Sequence, residues 1–194
     1  MICFLTSSIS GIGFIILYMI SVSPEKLSRK IGYDAYKLCG CFRAIAILMY
    51  LISYLTFVLY PFFPVSEDFN QSLPWNNFIS MVISIASGIV ALILVILGMK
   101  DSGAEAIAPD KSSKLYQGIY NYMRHPQIMA ELIWWFTTAL FLHSLPLFIA
   151  SFFWIIPFIT FAFIEDQDLQ LRYGDTFIQY KQRVAPFFPN FGRK

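Results

Sequence analysis

Charge is what this sequence has least of. Asp, Glu, Lys and Arg make up 13% of its 194 residues, about half the share of a typical soluble domain, while 57% are hydrophobic and the mean hydropathy is +0.61. That balance excludes an ordinary soluble domain and points to a membrane. Fourteen basic residues against twelve acidic leave a net charge of +2, too little for a nucleic-acid-binding surface, and the apolar mass excludes disorder. Cysteine is scarce and odd in number. Cys3, Cys39 and Cys41 are an odd set, and a C-x-C pair without further Cys or nearby His is a weak metal signal, so they read as reduced packing thiols. A dinucleotide fingerprint is also missing: Gly11-Ile12-Gly13 lacks its third glycine, Ile16 standing there, and lies in an apolar run rather than at a strand-turn-helix junction. There is no internal repeat, no low-complexity tract and no extramembrane stretch long enough for a soluble catalytic domain.

What is present is organised by the gaps between charges. Met1 to Pro24, Ala44 to Ser66, Phe69 to Met99 and Leu132 to Ile164 hold no Asp, Glu, Lys or Arg, and each exceeds the ~20 residues a helix needs to cross about 30 Å of hydrocarbon. The first three predict single spans near 2–22, 44–63 and 77–99. The fourth gap, as one helix, would be about 50 Å long at ~1.5 Å per residue. His143-Ser144-Leu145-Pro146 at its middle predicts a turn, with Pro146 opening a second helix and a hairpin of spans near 127–143 and 146–164. Five spans put all fourteen basic residues on one side, in segments carrying five, four and five of them; four spans would strand the tail's five opposite the rest. The expectation is an all-α polytopic membrane protein of five transmembrane helices with a cytoplasmic amphipathic tail. Its N-terminus lies outside and its C-terminus in the cytoplasm, in the cell membrane or the endoplasmic reticulum. With no basic residue before the first apolar run and no clean small-x-small site after it, that run reads as a retained helix rather than a signal peptide. Ser80, Ser84 and Gly88, at intervals of four, mark a stripe where another helix can approach closely.

The informative polar residues gather on the cytoplasmic face. Pro126 suits the first position of the fourth span and makes Arg124 and His125 its entrance. Free backbone N–H groups there would form an anion site reinforced by both side chains; the plainer account has Arg124 snorkelling to lipid phosphate and His125 capping the helix. Glu131, one to two turns inside the span, is either functional or a shallow residue returning to the interface. Glu165, Asp166 and Asp168 crowd a helix end that disfavours acids, so something cationic must offset them. Leu169, Tyr173, Phe177, Tyr180 and Val184 form a helical stripe, bent at Gly174 and restarted with Asp175 as N-cap. It ends in Pro186-Phe187-Phe188-Pro189 and is either an interfacial tail or a lid over the hairpin mouth.

Gly118-Ile119-Tyr120, Arg124-His125-Pro126, Glu165-Asp166, Tyr173-Gly174, Tyr180-Lys181-x-Arg183-Val184 and Pro189, in this order and spacing, resemble the isoprenylcysteine carboxyl methyltransferase family of integral membrane enzymes. The likeness covers about the C-terminal 85 residues. It implies one membrane-embedded methyltransferase domain, 1–194, whose catalytic and cofactor part is 100–194. The resemblance further implies S-adenosylmethionine as cofactor, with Leu115, Tyr120, His125, Glu165 and Asp166 at its site and Arg124 beside them; the catalytic candidates are Arg124 and, from its depth in the fourth span, Glu131, with no metal. The family's acceptor, the carboxylate of a prenylated cysteine or a related lipid, is already ionised at neutral pH and needs no base. It would enter sideways from the bilayer. Oligomeric state is left open.

The sequence departs from that family at Asp166, the second acid of a Glu-Glu pair, at Phe161 in place of an arginine, and at Ile128 and Glu131. These changes spare the cofactor elements and fall on the acceptor side. A phospholipid (ethanolamine) N-methyltransferase shares the C-terminal pattern and would need a base for its amine, which Glu131 or the Asp166 cluster could supply. A sterol-reductase-like membrane oxidoreductase using NADPH has a similar Arg-His-Pro element, but a 2'-phosphate calls for more basic residues than acids. A transporter or assembly subunit would carry more polar residues at mid-bilayer.

Overall fold

In a computed structural model, residues 2–67, 70–103, 109 and 117–188 are described. They form helices α1 (Ile2–Ser21), α2 (Pro24–Ile31), α3 (Asp34–Leu59), α4 (Asn77–Ser102), α5 (Pro126–Phe141), α6 (Leu145–Ser151), α7 (Ile155–Tyr173) and α8 (Asp175–Arg183). The protein is an all-α polytopic membrane protein.

Four segments are long and apolar enough to cross a bilayer: Ile2–Ser21, Asp34–Phe62, Asn77–Ser102 and Leu145–Tyr173. The arm expected near 127–143 is α5, Pro126–Phe141, which is not among them. With 16 residues, α5 is about 24 Å long at ~1.5 Å per residue, short of the usual span. The hairpin itself is present, turning through His143 at φ 50. The second arm is continuous to Tyr173 because α6 and α7 join through a 3-10 turn at Phe152–Trp154. Pro157, which lacks an N–H and so cannot bond the carbonyl four residues back, accounts for that tightening.

Helices associate in lipid by close approach of small residues and by interhelical hydrogen bonds. The α1–α3 pair uses Ser7 and Ser53, whose hydroxyls lie 3.4 Å apart. The α4–α5 pair uses the stripe read from the sequence: Ser80 and Ser84 are buried, a Cβ at Gly88 would rest on Thr137, and the Ser87 hydroxyl lies 2.7 Å from that of Thr137. At one end of the pair Gly98 meets Gln127; at the other Ser80 bonds His143 Nδ1 at 2.8 Å. The far end is sealed by the 71–73 segment, with Leu73 N–H donating to the His143 carbonyl and Leu145 N–H to that of Gln71. The core is aromatic. Trp135 is fully buried, stacked on Trp154 at 4.3 Å with the edges of Tyr54 and Phe57 against it.

Two elements begin where the sequence did not place them. α3 starts at Asp34 rather than 44, and α2 is an amphipathic helix at the bundle end. The Glu25 and Lys26 N–H groups at its start donate to Asp168 at 3.1 and 2.8 Å, so the positive end of α2 offsets that acid. The chain bends at Gly174 as expected, but Asp175 is the first residue of α8, and Gly174 at φ 58 holds the cap position.

Candidate active site

The segment before α5 is fixed by its neighbours. Gly118 adopts φ 63, and a Cβ there would collide with the Asp101 carboxylate, which accepts the Ile119 N–H at 2.7 Å. Tyr120 is buried, its hydroxyl donating to the Gly98 carbonyl at 3.3 Å. Burial pushes that hydroxyl above its usual titration range, so it is neutral at physiological pH.

The tail folds back onto this segment. After α8 the chain runs parallel to residues 123–125: Arg124 N–H donates to the Ala185 carbonyl at 2.9 Å and His125 N–H to that of Pro186 at 3.0 Å. Tyr180 donates its hydroxyl to the Tyr120 carbonyl at 2.6 Å, and the Phe187 ring lies 6.0 Å from His125. The lid geometry is therefore the one present. Leu169, Phe177, Tyr180 and Val184 pack as a small core beneath it.

Arg124 and His125 are engaged differently from a simple anion site. The Arg124 guanidinium lies 2.9 Å from Asp166 and donates to the carbonyls of Lys181 and Val184 at 3.1 and 3.0 Å, closing the C-terminus of α8. His125 Nδ1 is 3.2 Å from Glu165 and Nε2 is 3.1 Å from Asp166. Two ring nitrogens facing two carboxylates require both to carry protons, hence an imidazolium. Burial alone would lower the His125 pKa, but hydrogen bonds and charges from Asp166 and Glu165 outweigh it and hold it at about 9. Lys181 adds a third cation 3.5 Å from Asp166. The cations that the acid cluster demanded are these, so the expected anion site at the α5 entrance is already filled from within the chain.

Glu165 keeps 29% of its side chain exposed whereas Asp166 keeps 2%. It lines a polar cavity of about 30 Å³ with Tyr18, Arg43, Tyr120, His125 and Gln127. Beside it lies a cavity of about 310 Å³ that shares Tyr18, Arg43, Gln127 and Ile128, and is walled further by Tyr50 and Phe158. Glu131 enters this second cavity and accepts a hydrogen bond from the Tyr50 hydroxyl. Ile47 and Leu51 of α3 and Met99 of α4, exposed on the bundle surface, border it, so it opens toward lipid between those helices.

Of the residues singled out by sequence, Tyr120, Arg124, His125 and Glu165 meet at the polar cavity. Asp166 sits behind them, Glu131 lies in the neighbouring cavity, and Leu115 lies outside the described residues. Sequence reasoning missed Tyr18, Arg43 and Tyr50, which bring α1 and α3 into the walls. Arg43 was the one findable signal, an arginine at the very edge of a charge-free run, now buried and donating to the Ser21 carbonyl at 3.0 Å. Phe161, where the resembling family has an arginine, is fully buried against Tyr18 and Phe14.

A helical membrane bundle with a charged, tail-covered pocket beside a lipid-facing cavity is the layout of an integral membrane enzyme acting on lipid. The chain belongs to the phospholipid methyltransferase family, which it matches over residues 77–176. That family and the isoprenylcysteine carboxyl methyltransferases fall in one clan of membrane methyltransferases, and its members use S-adenosylmethionine as methyl donor. No curated protein matches the chain.

Proposed function

We propose that this protein methylates the polar head of a membrane lipid, and that the acceptor is an amine such as that of phosphatidylethanolamine. The observation that carries the acceptor class is Glu131. A carboxylate in the lipid-facing cavity repels a carboxylate acceptor, whereas it attracts an ammonium and can take its proton. Arg43 in the same cavity suits the adjoining phosphate. The second reading, a prenylated cysteine carboxylate, rests on the order of motifs in the C-terminal half.

S-adenosylmethionine, when bound, supplies an electrophilic methyl on a sulfonium. The donor set fits its charges: Glu165 for a cationic group, with the aromatic rings of Tyr18 and Tyr120 beside it. In this assignment Glu165, Tyr120, His125 and the 115 position hold the cofactor, while Arg124 and Asp166 are positioning residues that lock the tail over it. Glu131 orients and deprotonates the acceptor amine. The pocket shields the reacting groups from water.

The orientation follows from the basic residues. With α5 crossing beside α4 from the site to the opposite end, the three basic segments of the sequence, holding five, four and five of the fourteen, would share one side, which supports a cytoplasmic C-terminus and an outside N-terminus. The single domain would span 1–194. The test is methyl transfer from labelled S-adenosylmethionine by the purified protein. Phosphatidylethanolamine in vesicles should accept, and a farnesylated cysteine should not; the reverse result replaces the first reading by the second.

A further inference from the structure

A second groove, of about 580 Å³, lies at the same end of the bundle but is formed by α1, α2 and α7. Two helices present it with matching faces. Ser23, at the N-cap of α2, and Lys26, Leu27 and Lys30 within it lie at i, i+3, i+4 and i+7, and Ile164, Gln167, Asp168 and Leu171 repeat those intervals on α7. Met19 and Ile20, at the end of α1, join Leu27, Ile164 and Leu171 as an apolar floor. Ile20 and Leu171 are 39% and 40% exposed, so this floor is open at the level where α1 leaves the hydrocarbon.

The charge in the groove is one-sided. Lys26 and Lys30 are exposed, and among the described residues neither ammonium has a partner. Asp168 is the one acid in the lining, but it is 3% exposed and its two oxygens accept the Glu25 and Lys26 N–H groups, so its charge faces the α2 backbone. Two unpaired lysines above an apolar floor, at the depth of lipid headgroups, match a molecule with a phosphate and an alkyl chain and no compensating cation.

We propose that this groove is a binding site for an anionic phospholipid such as phosphatidylglycerol, with Lys26 and Lys30 on the phosphate and one acyl chain along Met19, Ile20 and Ile164. It is separate from the pocket lined by Glu165 and does not depend on which lipid is methylated. Because α2 is pinned through Asp168 to α7, two positions beyond Asp166, an occupied groove would brace the helix that carries the site's acids.

The experiment is native mass spectrometry of the full chain released from micelles containing phosphatidylglycerol or phosphatidylcholine. Phosphatidylglycerol should be retained in preference. Lys26→Gln with Lys30→Gln should weaken retention about 25-fold, each lysine near a membrane surface contributing roughly fivefold. Lys37→Gln with Arg183→Gln, removing the same charge elsewhere on that face, should change it less than about threefold. If the first double variant melts early, Lys30→Gln alone should give about a fivefold loss. Equal retention of both lipids, equal losses in the two pairs, or displacement by glycerol 3-phosphate at the lipid's own concentration would each overturn the proposal, the last by reducing the groove to a general anion site.

Discussion

Arg124 stands 2.9 Å from Asp166, with 7% and 2% of the two side chains exposed. The pair ties the entrance of α5 to the end of α7, and because the same guanidinium holds the carbonyls of Lys181 and Val184 it also anchors α8. Removing the acid would leave Arg124 and the His125 imidazolium buried beside each other. Breaking a buried pair on one side costs about 3–5 kcal/mol. Asp166→Ala should therefore lower the unfolding temperature by many degrees in detergent, read by tryptophan fluorescence, while Asp175→Ala on the exposed start of α8 should not. A melting point for Asp166→Ala within a degree of the parent would show that the pair does not hold the tail.

His125 sets a pH window. Its folded pKa of about 9 is raised from the ordinary 6.5, so the imidazolium's contribution is complete below about 6.5, declines as pH rises, and is gone above about 9. A shift of that size corresponds to about 3 kcal/mol, as an order of magnitude. Unfolding measured from pH 6 to 10 should show the parent losing stability across this window and His125→Gln losing much less. Parallel curves would place the imidazolium elsewhere.

Much of this arrangement was legible because charge is so sparse. Charge-free runs located the helices, the Ser80-Ser84-Gly88 stripe named the face of α4 that receives α5, and three acids in four positions demanded cations that proved to be Arg124, His125, Lys181 and the start of α2. Other features leave no local pattern. The pairing of residues 123–125 with 185–186 is made by backbone groups, which any sequence carries. Tyr18 and Tyr50 look like the other aromatic residues of their spans, and only packing separates those that wall a cavity from those that fill the core.

Glu165 and Glu131 should separate binding from chemistry. Glu165→Gln removes the exposed carboxylate of the polar cavity, so S-adenosylhomocysteine affinity by calorimetry should fall at least about tenfold, the loss expected for a charge-assisted contact. Glu131→Gln should leave that affinity unchanged and lower methyl transfer to phosphatidylethanolamine by about 10²–10⁴-fold, as for a general base. Tyr50→Phe, which strips the hydrogen bond from Glu131, should show a smaller loss that shifts the pH profile. If Glu131→Gln weakened only cofactor binding, the two cavities would have exchanged roles.

The cysteines report orientation without any engineered site. Cys3 opens α1 and is partly exposed, Cys41 is exposed two residues before Arg43 at the basic end of α3, and Cys39 is buried with its thiol 3.5 Å from the Ile20 carbonyl. If the basic face is cytoplasmic, a membrane-impermeant maleimide added to intact cells should label Cys3, and Cys41 only after permeabilisation. Cys39 should react only once the protein is unfolded. Single Cys→Ser variants assign each label by mass. Labelling of Cys41 but not Cys3 in intact cells would invert the protein, turning the tail-covered pocket away from the compartment where the cofactor is made.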